Sequence, residues 1–339
     1  MQQLTFAGAG KLVWEDVPAP ELSSGDDALV RPVAVATCDL DAAVMSGRTP
    51  LPGPFAFGHE FVAEVISTGD AVASVRPGDR VIVPFQVSCG ACGFCRRGLT
   101  ASCATAGAGA AYGMAPIARR EWGGALSDCV RVPYADAMLV ALPTGLDPAS
   151  VASVSDNVPD GWRAVAPPLA RRPGAPVLVV GGAGDVALYA VAVAVALGSE
   201  QVDYVDVDAR RLAVAERLGA RAVEQPVDGS RLGRYPITVD HSGDVAGLHS
   251  ALRSTEPEGT CTSTAIYFSA ETTLPLLDMY TRGVEFHTGR VNARASIPHV
   301  LDLVESGRLR PELVTSATVQ WDDAPAALAS LEAKTVIVR

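Results

Sequence analysis

The sequence lacks the features that mark membrane-spanning, secreted and nucleic-acid-binding proteins. Its longest apolar stretch, from Val186 to Leu197, is shorter than the roughly 20 residues that a helix needs to cross a bilayer. No basic segment followed by an apolar one begins the chain, so we expect no secretory signal. The net charge is -11 and arginines occur in pairs rather than runs, which argues against a nucleic-acid partner. We therefore expect a cytoplasmic protein that binds neither membrane nor nucleic acid.

Internal repeats and low-complexity linkers are also missing, and the cysteine content is low and odd. The chain has 339 residues, of which 48% are hydrophobic and 19% charged, so it can bury large cores and is expected to form two domains. Seven cysteines, four of them clustered, argue against a disulfide framework. A metal site in a reducing compartment is the better interpretation of this pattern.

The four clustered cysteines, Cys89, Cys92, Cys95 and Cys103, follow the spacing C-x2-C-x2-C-x7-C on a glycine-rich segment. Thiolates this close can converge on one tetrahedral ion, and closed four-cysteine sites are typical of structural zinc. A redox switch is the alternative, although four ligands would leave no cysteine to spare. A closed shell has no open position for substrate, so the chemistry must lie elsewhere in the chain.

The secondary-structure pattern changes near residue 150. Before it, short β-branched runs separated by turn signals predict a barrel-like antiparallel domain over 1–150. After it, apolar strands alternate with helices, which predicts a doubly wound parallel sheet over 151–290. The remaining segment, 291–339, is too short for a core of its own and is expected to complete the first domain.

A glycine loop follows the first strand of the predicted parallel sheet. In the frame that begins at Gly182 it has the pattern G-x-G-x-x-A, and it opens the helix that starts near Val186. Such a loop places a pyrophosphate at a helix N-terminus. Asp206 ends the next strand, where a carboxylate accepts hydrogen bonds from the adenosine ribose and repels a 2′-phosphate, so NAD is favoured over NADP. Asp208 competes for this role. The candidate cofactor contacts are Gly182, Gly184, Asp185, Val186, Asp206, Arg211 and Asp160.

A second group of metal-ligating residue types is scattered through the chain. Cys38, the motif Gly58-His59-Glu60 and Asp156 are weak signals individually. Together with the glycine loop and the cysteine cluster, in this order, they make the chain resemble the zinc-dependent alcohol dehydrogenases of the medium-chain dehydrogenase/reductase family. The resemblance implies an α/β protein with a GroES-like β-barrel catalytic domain, which carries the zinc lobe at 89–103, and a Rossmann cofactor domain.

The resemblance also assigns roles to these residues. It implies two zinc ions per chain: a catalytic one held by Cys38, His59 and Asp156, and a structural one held by the cysteine cluster. Three ligands leave a fourth position open, where zinc polarises an alcohol or aldehyde for hydride exchange with NAD. Asp41 matches a carboxylate that orients His59, and Glu60 matches a glutamate behind the metal. The family further implies a homodimer or homotetramer, joined near Val284 to His287.

The chain departs from the family at its proton relay. Leu40 and Ala43 occupy positions where many members have a hydroxyl residue and some have a histidine. Neither can carry a proton, so water, Asp39, Glu60 or Asp160 must provide the exit. We expect Leu40→Thr to retain activity. Leu40 also favours a hydrophobic or aromatic substrate, with Phe85 matching a pocket aromatic of the family; Tyr112, Trp122 and Leu126 are looser candidates for the pocket wall.

Two other functions fit the same motifs. One is a zinc-independent reductase of the same fold, which the presence of all three ligand types disfavours. The other is a non-catalytic NAD-binding redox sensor, which the missing relay and the unusual Asp160 keep open. A zinc- and NAD-dependent alcohol or aldehyde oxidoreductase acting on a small molecule is the leading interpretation.

Overall fold

The computed structural model of the protein describes residues 1–118, 121–329, 331 and 333–339. Strands account for most of the first third of the chain and alternate with helices in the middle. In chain order the strands are β1 (Gln2–Gly8), β2 (Lys11–Asp16), β3 (Ala28–Ala36), β4 (Phe55–Ala56), β5 (Glu60–Thr68), β6 (Arg80–Val83), β7 (Val130–Val132), β8 (Val140–Ala141), β9 (Val177–Val180), β10 (Val202–Asp206), β11 (Arg221–Glu224), β12 (Tyr235–Asp240), β13 (Thr255–Ser263), β14 (Glu285–His287), β15 (Ala317–Gln320) and β16 (Thr335–Val338).

The α-helices are short at the two ends of the chain and longer in the middle. In chain order they are α1 (Asp39–Met45), α2 (Ala115–Ala118), α3 (Ala135–Met138), α4 (Pro148–Val151), α5 (Asn157–Arg171), α6 (Val186–Ala196), α7 (Ala209–Arg217), α8 (Val245–Ser254), α9 (Leu276–Arg282), α10 (Ala293–Glu305) and α11 (Ala324–Ala329). Within the described ranges, none of these helices combines the length and apolar character needed to cross a bilayer.

The chain divides into two compact units. The first contains Met1–Pro159, Asn292–Glu305 and Thr315–Arg339, and the second contains Asp160–Val291 and Ser306–Val314. The predicted boundary at 150 therefore lies before the observed one. The 3-10 helix Ala152–Ser155 packs on β3, β5 and β6, which ties this segment to the first unit.

The first unit is built on β-sheets, as predicted. Its larger sheet has the order β15-β16-β3-β5-β6-β8, with β7 also paired to β3, and a smaller sheet has the order β2-β1-β4. The C-terminal strand β16 pairs antiparallel with β3, joining Val336 to Ala36. Apolar side chains fill the core of this unit, among them Leu4, Phe61 and Val83 on the strands and Phe57 and Leu126 between them.

The second unit contains one parallel sheet with the strand order β11-β10-β9-β12-β13-β14. This is the order of a doubly wound dinucleotide-binding domain, counted from its first strand, β9. Every residue of β9 is buried, as expected for a strand covered on both faces. Helix α6 is apolar all around and buried from Val186 to Ala194. Burial in this unit therefore accounts for the longest apolar run of the sequence.

Candidate active site and cofactor site

Three separate segments of the first unit bring four metal-ligating side chains to one place. The ligand atoms of Cys38, His59, Glu60 and Asp156 all lie within 4.8 Å of one another. Cys38 directly precedes α1, His59 directly precedes β5, Glu60 is the first residue of β5, and Asp156 directly precedes α5. The predicted catalytic residues are thus close together, although they are distant in sequence.

The start of α1 fixes the position of Cys38. Cys38 is the N-cap residue in an extended conformation, and its backbone N–H donates to Asp41 Oδ2 at 2.8 Å. Asp41 is the third residue of the helix, so it serves as the acidic half of a capping box. The other oxygen, Oδ1, lies 3.4 Å from His59 Nδ1. One buried carboxylate therefore holds two of the candidate ligands, which agrees with the predicted orienting role of Asp41.

A closely packed turn at Gly58 sets the position of His59. Gly58 has φ +88°, a left-handed conformation that disfavours other residues, and a Cβ there would lie 3.3 Å from the backbone N of Leu126. The backbone then enters β5, which places the His59 ring inside the first unit with only 1% of its side chain exposed. The ring centroid of Phe85 lies 5.8 Å from that of His59. Phe85, the predicted pocket aromatic, therefore packs beside the candidate ligand.

Two residues that the sequence analysis missed complete the site. Asn157 Nδ2 donates to Cys38 Sγ at 3.2 Å and to Asp156 Oδ2 at 3.1 Å. Lys334 Nζ donates to Asn157 Oδ1 at 2.6 Å and to Glu60 Oε2 at 2.9 Å, and it also donates to the backbone carbonyl of Thr37. Lys334 is one of only two lysines in the chain. It reaches the site because β16 pairs with β3.

The site carries an excess of acidic groups away from water. Burial raises the pKa of the Cys38 thiol, and the charges of Asp156 and Glu60 raise it further. Burial also raises the pKa of Glu60 and Asp41. For His59, burial lowers the pKa, but the charges of Asp41 and Asp156 overcome this effect and raise it to about 9. A cation is therefore the species that this cluster is best suited to bind.

The donor set fits zinc. His59 Nε2 is buried and has no hydrogen bond, although Asp156 Oδ2 lies 3.4 Å away. Nδ1 faces Asp41, so the unpartnered Nε2 is the nitrogen available to a metal. Cys38, His59 and Asp156 supply sulfur, nitrogen and oxygen, the mixed set of three protein ligands that catalytic zinc accepts. An unpaired buried nitrogen would otherwise cost stability, which a bound ion would offset.

The predicted structural-metal cluster forms a separate lobe of the same unit. The sulfurs of Cys89, Cys92, Cys95 and Cys103 also lie within 4.8 Å of one another, and all are free thiols. Backbone N–H groups point at the sulfurs; the N–H of Cys92 lies 3.3 Å from Cys89 Sγ. Hydrogen bonds of this kind lower the pKa of Cys92 to about 6, whereas burial raises that of Cys95 to about 12. Four thiols without a further donor suit a closed zinc site.

The glycine loop lies in the second unit, between β9 and α6. Gly182 has φ +130°, and a Cβ on Gly181 would come within 2.5 Å of Asp206 Oδ2. The loop therefore lies directly against the predicted ribose-binding acid. Asp185 is the N-cap of α6, and its side chain pairs with Arg210 across 2.7 Å. Helix α6 begins at Val186, directly after the glycine loop, which is the arrangement that the sequence pattern predicts.

The Asp206 carboxylate already accepts several hydrogen bonds within the protein, unlike a carboxylate that waits in solvent for a ribose. Its carboxylate accepts from Tyr204 Oη at 2.5 Å, Arg211 Nε at 2.7 Å and the backbone N–H of Val207 at 2.7 Å. Burial alone would raise the pKa of Asp206, but the hydrogen bonds from Arg211 and Tyr204 lower it below its ordinary value. Asp206 and Arg211 are both predicted cofactor contacts, and here they form one ion pair.

The other predicted contacts are placed less specifically. Asp160 pairs with Arg163 one helical turn later, and both side chains are mostly buried. Its carboxylate is therefore already paired with a cation.

Leu40 is half-buried against the core of the first unit, and Trp122 belongs to that core. Tyr112 and Leu126 are fully buried core residues, so Phe85 is the member of the predicted pocket wall that contacts a candidate ligand.

Comparisons with known proteins agree with this geometry. The alcohol dehydrogenase GroES-like domain model matches residues 24–144. The chain is 34% identical over 229 residues to the medium chain reductase/dehydrogenase ucsI of Acremonium sp, covering 66% of this chain and 76% of that protein. It is 28% identical over 343 residues to a probable zinc-binding alcohol dehydrogenase of Mycobacterium tuberculosis, covering 98% and 86% of the two chains.

A solved structure extends the likeness to the whole chain. The alcohol dehydrogenase TADH from Thermus sp. ATN1 superposes with a TM-score of 0.90 at 29% identity, covering 100% of this chain and 99% of the other. Family, fold and site geometry thus point to one conclusion. The chain belongs to the zinc-dependent alcohol dehydrogenases of the medium-chain dehydrogenase/reductase family.

Proposed function

We propose that the protein is a zinc-dependent oxidoreductase that exchanges a hydride between an alcohol or aldehyde and NAD(H). The observation that carries this proposal is the grouping of the half-buried Cys38 with the buried His59 and Asp156, in which His59 Nε2 has no hydrogen-bond partner. A purely structural cluster would pair that nitrogen within the protein, because an unsatisfied buried polar atom is costly. The relatives named for zinc and for alcohol oxidation support the same function.

Each residue of the site has a part in this chemistry. Cys38, His59 and Asp156 would hold the zinc, which when bound supplies a Lewis acid at its open position. Asp41 keeps His59 Nδ1 engaged, so that Nε2 faces the metal. Lys334 pairs with Glu60 and holds that carboxylate beside the ligands. With Leu40 and Ala43 unable to transfer protons, we propose that the Glu60 carboxylate, which lies within 4.8 Å of the ligand atoms, accepts one.

NAD is the cofactor that we propose for the second unit. The loop at Gly182 and the N-terminus of α6 suit a pyrophosphate, and two carboxylates lie at the C-terminal end of β10, where Asp206 is the last strand residue and Asp208 follows two positions later. A 2′-phosphate would meet these charges unfavourably. Arg211 already pairs with Asp206, so we propose that the ribose hydroxyls are bound by this pair rather than by a free carboxylate.

The substrate that we propose is a small alcohol or aldehyde with an apolar or aromatic side chain. Phe85 packs beside His59, and Leu40 follows Cys38 by two positions. Both side chains are apolar and neither offers a hydrogen bond to a second hydroxyl group. A polyol would therefore leave its additional hydroxyls unsatisfied near these residues.

The test is a turnover assay on protein whose zinc has been counted. Aliphatic, aromatic and polyol substrates are each supplied with NAD and with NADP, in both directions. We expect two zinc ions per chain, turnover with NAD, and higher kcat/KM for aromatic or aliphatic alcohols than for polyols. Two zinc ions without turnover of any substrate would contradict the proposal and favour a non-catalytic NAD-binding protein. One zinc per chain, with reduction of activated double bonds, would favour a zinc-independent reductase.

We also propose a homodimer or homotetramer in a reducing compartment, the cytoplasm. Strand β14 ends the six-stranded sheet, and α9 beside it in sequence exposes 65% of Leu276, 76% of Leu277 and 85% of Tyr280. Exposed apolar groups of this size support association. All seven cysteines are free thiols, which supports a reducing compartment. Light scattering should give at least two chains per particle, and Leu277→Asp should reduce that number; a monomeric wild type would contradict the proposal.

A further inference from the structure

We infer that Asn157 is a positioning residue that fixes two of the candidate zinc ligands at once, and that Lys334 sets its orientation. This inference rests on the proposed zinc site. The zinc-binding residues themselves do not include Asn157, and no feature of the sequence alone pointed to it.

Lys334 determines which way the amide points. Its ammonium group has three donors and no acceptor, so the atom facing it must be an oxygen. Lys334 Nζ lies 2.6 Å from Asn157 Oδ1, and the lysine is 3% exposed. Rotating the amide by half a turn would place an NH₂ group against an ammonium group in a buried site. The orientation is therefore set by chemistry, which matters because amide oxygen and nitrogen are otherwise hard to distinguish.

With the oxygen committed to Lys334, both N–H groups face the ligands. Asn157 Nδ2 lies 3.2 Å from Cys38 Sγ and 3.1 Å from Asp156 Oδ2, so its two hydrogens can serve the two ligands separately. These ligands come from segments that are far apart in sequence. One amide therefore sets the separation of a sulfur and an oxygen that would bind the same ion.

The same bonds reduce the cost of gathering acidic groups without metal. Each N–H places a partial positive charge next to a ligand atom. The amide oxygen of Asn157 accepts from Lys334, which also pairs with Glu60. Partners of metal ligands commonly account for about 10–100-fold in metal affinity. Asn157 is 2% exposed, so its N–H groups are shielded from bulk water.

The experiment measures how fast zinc leaves the intact protein. Zinc-loaded wild type, Asn157→Ala and Asn157→Leu are mixed with excess of a chromogenic chelator, and the fast and slow phases are assigned with Cys38→Ser. Ser155→Ala is the matched control, because Ser155 is buried next to Asp156 but donates only to the carbonyl of Ala152. Loss from the lobe, Cys89 to Cys103, serves as an internal reference within each sample.

We expect both Asn157 variants to lose zinc from the Cys38 site about 10–100 times faster than Ser155→Ala, with the lobe phase unchanged. Two variants are used so that one can still be measured if the other fails to fold. Circular dichroism checks that each variant is folded. Rates within twofold of the control would overturn the inference while leaving the zinc site itself intact. A wild type that binds no zinc at Cys38 would instead overturn the proposed function, so the two failures are distinguishable.

Discussion

Both cysteine-containing sites of the first unit gather metal-ligating side chains, but they take them from different parts of the chain and support them with different groups. The lobe takes its four sulfurs from one short segment, Cys89 to Cys103, and supports them with backbone N–H groups such as that of Cys92. The Cys38 site takes its ligands from three segments and supports them with the side chains of Asp41, Asn157 and Lys334. The first arrangement is local, whereas the second exists only when the unit is folded.

This difference explains what each site can do. A local loop with four thiols closes around an ion and leaves no position for substrate. A site assembled from distant segments can mix sulfur, nitrogen and oxygen donors and keep one position open, but it must bury acidic groups to do so. The buried cation Lys334 and the donors of Asn157 compensate for those charges. The lobe, which is partly exposed, needs no such partners.

The largest effect should follow from breaking the Cys38 site. His59→Ala removes the nitrogen ligand, and a lost Lewis acid costs several kcal/mol of transition-state stabilisation, on the order of 10³-fold in kcat. The thermal midpoint should change only slightly, because the zinc lobe from Cys89 to Cys103 is unaltered. Steady-state assays with NAD and calorimetry on the same sample give both quantities; activity within tenfold of wild type would exclude His59 as a ligand of a catalytic ion.

The next effect concerns the cation that compensates the buried acids. Lys334→Met leaves the Glu60 carboxylate without its ion-pair partner, a change that typically costs about 3–5 kcal/mol of unfolding free energy. Glu60→Gln in the same chain should restore much of that loss, because a neutral amide replaces the unpaired charge. Chemical unfolding of the zinc-free single and double variants checks this. Equal destabilisation in both would mean that the pairing contributes little.

The corresponding substitution in the lobe should lower stability and leave turnover of the folded protein largely unchanged. Cys89→Ser removes one of four ligands, and structural zinc contributes directly to folding. Each kcal/mol lost should lower the midpoint of the first unit, which has about 200 residues, by about 2–4 °C. The fraction that stays folded should keep the wild-type KM and most of its kcat. A selective loss of kcat at normal stability would indicate that the lobe takes part in the reaction.

The smallest effect is a difference in thiol reactivity once zinc is removed. The pKa of Cys92 is lowered to about 6, so its reactive thiolate is present at pH 7 and is lost as the pH falls below about 6. Burial raises the pKa of Cys38 and Cys95, which therefore stay protonated at pH 7. Mass spectrometry after brief alkylation of zinc-stripped protein should find Cys92 modified first. Modification of Cys38 before Cys92 would contradict the raised pKa of the Cys38 thiol.

The sequence predicted the fold class and the grouping of ligands because both have local signals. The alternation of strands and helices predicted the parallel sheet, and the spacing from Cys89 to Cys103 predicted the lobe. The glycine pattern at Gly182 predicted the loop before α6. Cys38, His59 and Asp156 were recognisable only in combination with those stronger motifs.

The supporting residues could not be predicted because their role depends on long-range pairing. Lys334 reaches Glu60 only through the antiparallel pairing of β16 with β3. Asn157 follows Asp156 directly, but nothing in the sequence indicates which way its amide points. Likewise, the acid at Asp206 was identified from its position after β10, whereas its ion pair with Arg211 required the fold. The rarity of lysine in this chain was the one available signal for Lys334.

We propose that the Cys38 site and the lobe hold separate zinc ions, of which only the first serves catalysis. The most direct measurement is zinc per chain, by elemental analysis, together with NAD-dependent turnover for wild type, His59→Ala and Cys89→Ser. We predict two ions in wild type and one in each variant, with turnover lost in His59→Ala and retained by folded Cys89→Ser. Turnover that survives the loss of zinc from the His59 site would contradict the account.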